Sequence, residues 1–186
     1  MSFTCNEQIL PILDRFELGL LARLGTIRID RDLLTAVVER WRRETHTFHF
    51  PTGEMTITLE DVLCLWGLPI DGLAVTGDVD DTWDSIVEEM FGRLEWASFR
   101  RPPGQFHMSR TWLREPWSGG EETRARLPPN SPQEEVEMYA RAYMLDLFSS
   151  VMFPDQSGYI QSMFFQFIMD LNNPPRYSCG SVVLAR

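Results

Sequence analysis

The chain has 186 residues, 44% of them apolar and 12% aromatic, which fits one globular domain with a real core and excludes a disordered chain. Its formal charge of −10 disfavours binding of nucleic acid by the chain as a whole. All 17 basic residues are arginine, so every chemistry that needs a lysine amine is excluded, from a pyridoxal phosphate Schiff base to a phosphate-loop or kinase-type lysine.

In chain order, Ile9, Ile12, Leu13, Phe16, Leu18, Leu20, Leu21 and Leu24 form an apolar helical pattern. Pro11 and Gly19 interrupt it, which predicts one or two short helices. Residues 30–76 then read as one compact unit. Asp30 caps a helix with Leu33, Leu34, Val37, Val38 and Trp41 on one face, and Ile29 is placed to staple onto Leu34. The period changes to two at Thr47–Phe50. Turn chemistry follows at Pro51–Glu54 and alternation returns at Met55–Ile57, a β-hairpin. Thr58 and Asp61 give the start signal of a second helix with Val62, Leu63, Leu65 and Trp66 on its apolar face, stopped by Gly67 and Pro69. The expectation is that this unit is the packed centre, with Trp41, Phe48, Phe50, Ile57, Val62, Leu65 and Trp66 as its core.

Asp78, Asp80 and Glu89 fall at positions 1, 3 and 12 of a calcium loop, but its sixth position is Trp83 and not the glycine the turn needs. Trp83, Ile86, Val87 and Met90 make a helical stripe instead, with acids in the first turn where the helix dipole favours them. Residues 100–131 are rich in proline and glycine and read as an irregular loop, with one short helical piece around Met108–Arg114. Six arginines there, Arg100, Arg101, Arg110, Arg114, Arg124 and Arg126, alternate with Phe106, Trp112 and Trp117. That mixture suits stacking on single-stranded nucleic acid; otherwise Trp112-Leu113 anchors the loop and the arginines answer acids elsewhere. Ser131, Pro132 and Glu134 announce a helix over 132–153 with two adjoining apolar stripes, hence a largely buried one. A last helix is predicted over 160–171 from Ile160, Phe164, Phe167, Ile168 and Leu171, its aromatics serving as core and not as a ligand pocket.

The wording of the central unit is specific. Val38–Pro51, Gly53–Val62, Gly67–Gly72 and Val75-Thr76-Gly77 closely resemble the plant mobile domain, found in Maintenance-of-Meristems-like proteins and in plant transposable elements. Trp112-Leu113, Phe153-Pro154-Asp155 and Ser157-Gly158 are similar to further stretches of that family. So is Arg176–Ser181, where Cys179 stands in place of the family's tryptophan. The resemblance implies a non-enzymatic nuclear protein. It would act by protein–protein association in silencing of transposable elements, transcriptional control and meristem maintenance. The alternative it leaves is a transposon-derived protein that binds or processes nucleic acid. Some relatives carry an aminotransferase-like label, which the absence of lysine prevents from describing chemistry here. The family's domain continues past this point, so a C-terminal truncation, with marginal folding or stabilisation by a partner or self-association, is expected.

No residue set reads as catalytic, cofactor-binding or metal-binding. His46 and His49 lie three apart on a strand, so their side chains face opposite ways. Cys5, Cys64 and Cys179 are scattered and odd in number, which argues against disulfides, and Cys64 reads as a small buried hydrophobe. No apolar run reaches bilayer length and no signal peptide is evident, so a soluble intracellular protein without membrane partners is expected. The fold expected is mainly α with one small β-hairpin, a single irregular domain over 1–186.

Overall fold

The computed structural model describes residues 5–24, 28–76, 86–87, 90–91, 107–114, 127–154 and 157–185. Asn6 begins the first element: its side chain accepts from the Gln8 N–H and opens a 3-10 turn, Glu7–Ile9, that runs into α1 (Leu10–Arg15). Pro11 sits in the first turn of α1, where its missing N–H has no helical partner to lose, so it helps start this helix. A left-handed residue, Glu17 at φ 57°, turns the chain into α2 (Gly19–Leu24).

The unit at 30–76 has the expected helix, hairpin and second helix, with shifted edges and one strand more than the hairpin. Asp30 caps α3 (Arg31–Val38), its Oδ1 accepting from the Asp32 and Leu33 N–H groups at 3.0 and 3.1 Å. Trp41 is not on that helix. It opens β1 (Trp41–Arg42), which pairs with β2 (Thr47–Phe50), itself paired with β3 (Gly53–Met55) in an antiparallel three-stranded sheet. Trp41 lies opposite Phe48, and Phe48 opposite Met55. Thr58 and Asp61 close a reciprocal capping box at the start of α4 (Leu59–Trp66), and Gly67 ends it in the left-handed conformation at φ 68°.

Farther along, β4 (His107–Ser109) leads into α5 (Arg110–Arg114), a strand and helix where one helical piece was predicted. The longest helix is α6 (Gln133–Leu147), and it continues as a single π-helical turn, Phe148–Met152, closed by Phe153 N–H donating to the Phe148 carbonyl at 2.7 Å. Ser131 does not cap α6; its hydroxyl donates to the Pro128 carbonyl, and Pro132 takes the cap position with no side-chain bond. The predicted helix at 160–171 is instead β5 (Tyr159–Gln161), a 3-10 turn Ser162–Phe164 and one helical turn, α7 (Phe165–Ile168). Ile160 is drawn into a strand by pairing with Met108, a partner 52 positions away that local spacing does not reveal. The chain closes with α8 (Cys179–Leu184).

The fold is thus mainly α with two small antiparallel sheets. Its core is centred on α6, whose Tyr139, Ala140, Met144 and Leu145 are fully buried. Ile9 and Leu13, Met108 and Leu113, and Ile160, Phe165 and Ile168 pack into the same cluster. Ile86, Val87, Met90 and Phe91 have helical backbone, and the last three of them are buried. Asp78, Asp80, Trp83 and Glu89 of the calcium-like pattern lie outside the described residues.

The core expected within 30–76 is corrected by these burials. Trp41 is 37% exposed, Ile57 55% and Leu65 65%. Phe48 and Phe50 are half-buried, Trp66 packs only partly on the main cluster, and Val62 is buried. Cys64 is exposed as well, not a buried hydrophobe. Ile29 and Leu34, the expected staple pair, are both largely exposed. The physical reason is simple. Helical spacing says which residues share a face; it does not say what that face meets.

The unit joins the rest of the protein through a narrow seam. Gly180 N–H donates to the Pro69 carbonyl at 2.8 Å, and a Cβ built on Gly180 would lie 3.0 Å from the Ile70 side chain and 3.3 Å from that of Val62. Beside it, Leu73 and Tyr177 form a parallel bridge, with Leu73 N–H donating to the Arg176 carbonyl and Ser178 N–H to the Leu73 carbonyl. Gly72 makes this approach feasible: its φ is 119°, and a Cβ there would sit 2.5 Å from the Arg176 carbonyl oxygen. Gly72→Ala is therefore expected to open the bridge and cost about 1–3 kcal/mol in denaturant unfolding. Wild-type stability, together with unchanged amide exchange at Leu73 and Ser178, would show that the seam does not depend on this close approach.

Candidate association face

Residues 28–66 are held by good local chemistry yet leave most of their large apolar side chains exposed. Both helices are capped, and the sheet has two distinct faces. Trp41, Phe48, Phe50 and Met55 share one, with the Trp41 and Phe48 rings edge-on at 4.8 Å. The other carries Thr47, His49 and Glu54: Thr47 Oγ1 donates to Glu54 Oε2 at 3.2 Å, and His49 Nε2 lies 3.4 Å from Glu54 Oε1. The positive φ of His46, 54°, places it in the reversal between β1 and β2, its ring edge-on to Trp41. The two histidines serve the hairpin. Among the described residues, no group of three or more histidine, cysteine or acidic side chains is arranged to hold a metal ion.

Ten exposed large hydrophobics fall between Ile29 and Leu65, against seven in the rest of the described chain. Leu33 and Val38 on α3, Met55 and Ile57 after the hairpin, and Leu63 and Leu65 on α4 are among them. No residue of α3 is buried.

The arginine-rich loop is a different case. Arg100, Arg101, Arg124 and Arg126 lie outside the described residues. Arg114 is turned inward: its Nε and Nη2 both donate to Asp146 Oδ1, at 2.9 and 2.5 Å. Arg110 Nη1 donates to the Ser149 carbonyl, and its backbone N–H to that of Gly158. These two are spent on α6 and the π turn, and Leu113 between them is buried. Burial pushes the Asp146 carboxyl above the usual carboxylate range, with the Arg114 charge and hydrogen bonds pulling it partly back. Sequence reading missed this pair because its members lie 32 residues apart. The serines after Asp146 were the available signal, since Ser149 and Ser150 both donate to the Asp146 carbonyl where the helix widens.

Cys5 and Tyr143 are also coupled. Burial raises the Cys5 thiol, opposed by its hydrogen bond to Tyr143, and burial pushes Tyr139 up to about 12. These are neutral core groups with no exposed nucleophile among them.

The family model that matches the chain is the plant mobile domain, over residues 17–186. The chain belongs to the plant mobile domain family. Protein MAIN-LIKE 2 of Arabidopsis thaliana is 36% identical over 177 residues, covering 95% of this chain and 25% of that protein. Protein MAINTENANCE OF MERISTEMS of the same plant is 32% identical over 189 residues, 97% of this chain and 36% of its own length. The serine/threonine-protein phosphatase 7 long form homolog, also from Arabidopsis thaliana, is 34% identical over 198 residues, but the match covers only 14% of it. The chain therefore spans well under half the length of these relatives. No solved structure matches it. The stretch of plant mobile domain wording at 38–76 coincides with the exposed apolar unit and its seam to α8. No helix of the described residues is long and apolar enough to cross a membrane.

Proposed function

We propose that this plant mobile domain is a non-enzymatic association module of nuclear protein complexes. The observation that supports it is the concentration of exposed large apolar side chains on α3, the three-stranded sheet and α4. Each large side chain covered by a partner would contribute about 1.5–3 kcal/mol, so a few of them suffice for a stable contact. The name of one relative, Protein MAINTENANCE OF MERISTEMS, supports a role in meristem maintenance, and the resemblance extends the reading to silencing of transposable elements and transcriptional control. The absence of lysine fits a role without amine chemistry. A transposon-derived nucleic-acid-binding role is less well supported, because Arg110 and Arg114 are engaged within the domain and the net charge is −10.

The Leu34→Asp/Leu65→Asp variant tests this reading. Both residues are exposed, so unfolding free energy should stay within about 0.5 kcal/mol of wild type. Partners retained from nuclear extract, and any self-association seen by light scattering, should be lost with this variant and kept with Glu54→Gln on the sheet's polar face. Equal capture by all three proteins would reject the apolar face as the contact. An affinity for single-stranded nucleic acid that falls steeply with salt would favour the competing role.

A further inference from the structure

β1 is an edge strand: β2 pairs with it on one side, and no strand of the described residues pairs with it on the other. His49 N–H donates to the Arg40 carbonyl at 2.9 Å. In an antiparallel ladder that bond turns the backbone groups of Arg40 and Arg42 toward β2 and those of Trp41, between them, outward. The Trp41 N–H and carbonyl are therefore a donor and an acceptor with no hydrogen-bond partner among the described residues. Such an edge is a template for an added strand. A phosphodiester backbone would meet the donor and leave the acceptor unmet, whereas an extended peptide supplies a partner for both.

The side chains along β1 say which strand fits. The pleat puts Trp41 on the sheet face of Phe48 and Met55, where it is more than one-third exposed. Arg42, opposite Thr47, and Arg40, on the other side of Trp41, alternate with it and so belong to the polar face. Arg40, Arg42 and the adjacent Arg43 are exposed. None of the three forms an ion pair among the described residues, although Glu39 and Glu44 flank them in sequence. In a chain of net charge −10 this is a local excess of positive charge. The same charges exclude a second copy of this chain as the added strand. Self-pairing centred on Trp41, in either direction, would set arginine opposite arginine on both sides of it, and like charges directly opposite destabilise a ladder. We infer that the β1 edge receives an extended peptide segment of a partner protein, with an apolar residue across from Trp41 and a carboxylate residue on each side. This rests on the association reading and gives the partner its chemistry at one edge of the module.

The test titrates the intact isotope-labelled chain with the end-blocked peptide Thr-Glu-Val-Glu-Thr, and with Thr-Lys-Val-Lys-Thr as its charge-reversed control. The Trp41 amide resonance should move downfield as its N–H gains an acceptor. At low salt the acidic peptide should bind about tenfold tighter than the basic one, a preference that shrinks as salt is raised. Arg40→Glu/Arg42→Glu should invert the preference, and its binding of the basic peptide shows that the variant is folded. A Trp41 amide unmoved by the acidic peptide at millimolar concentration overturns the inference. So does equal binding of both peptides by the wild type, or a shift produced by oligothymidylate and not by the acidic peptide. Capture from nuclear extract separates this inference from the reading beneath it. Partners lost with both Leu34→Asp/Leu65→Asp and Arg40→Glu/Arg42→Glu support the edge contact. Partners lost with the leucine variant and kept with the arginine variant overturn the edge contact alone. Partners kept with both variants reject the association reading and this inference together.

Discussion

Phe165→Ala is expected to cost about 3–5 kcal/mol, and Trp41→Ala on the order of 1 kcal/mol or less. Phe165 is fully buried in α7 within the cluster around α6, so its truncation leaves a cavity that close packing cannot refill. Trp41 is more than one-third exposed and touches mainly its own sheet, edge-on to Phe48 and His46. Net stabilities of single domains are only about 5–15 kcal/mol, so the first variant should lie close to unfolding. Urea unfolding followed by circular dichroism compares the two directly. The reverse ranking would mean that the 30–76 unit is the stabilising centre after all, and that its exposed apolar side chains are covered in solution.

Removing Asp146 alone should be nearly as damaging as removing Phe165. Asp146 is buried at 4% exposure and receives two donors from Arg114, so Asp146→Ala removes the buried carboxylate that this guanidinium faces. Losing one member of a buried ion pair costs about 3–5 kcal/mol, whereas replacing both by apolar residues is often close to neutral. Asp146→Leu/Arg114→Met should therefore be more stable than Asp146→Ala, and this double-mutant comparison decides whether the pair or the packing matters. The pH dependence has a definite sign. Because burial raises the folded carboxyl above its unfolded value, Asp146 contributes most below the unfolded value of about 3.9, and that contribution is lost as pH rises through the folded value. Asp146→Asn should lack this fall. An identical pH profile for Asn and wild type would show that the carboxyl is not shifted upward.

The sequence by itself determined the local grammar of this protein. Asp30, the Thr58–Asp61 capping box and Gly67 mark helix ends correctly because caps act within three or four residues. Phe48, Phe50 and the turn at Pro51-Thr52 announce a hairpin for the same reason, and the wording that begins at Val38 carries the resemblance to the family whose model matches residues 17–186. Only the tertiary structure decided which apolar faces are covered. The two adjoining stripes of α6 announced burial, and α6 is enclosed by α1, α5 and α7; the single stripe of α3 was expected to be covered too, yet α3 buries nothing. Pairing of Met108 with Ile160 and the Arg114–Asp146 contact each join residues dozens of positions apart. Long-range closure of that kind is set by the free energy of the whole packed arrangement, and no local window of the chain contains it.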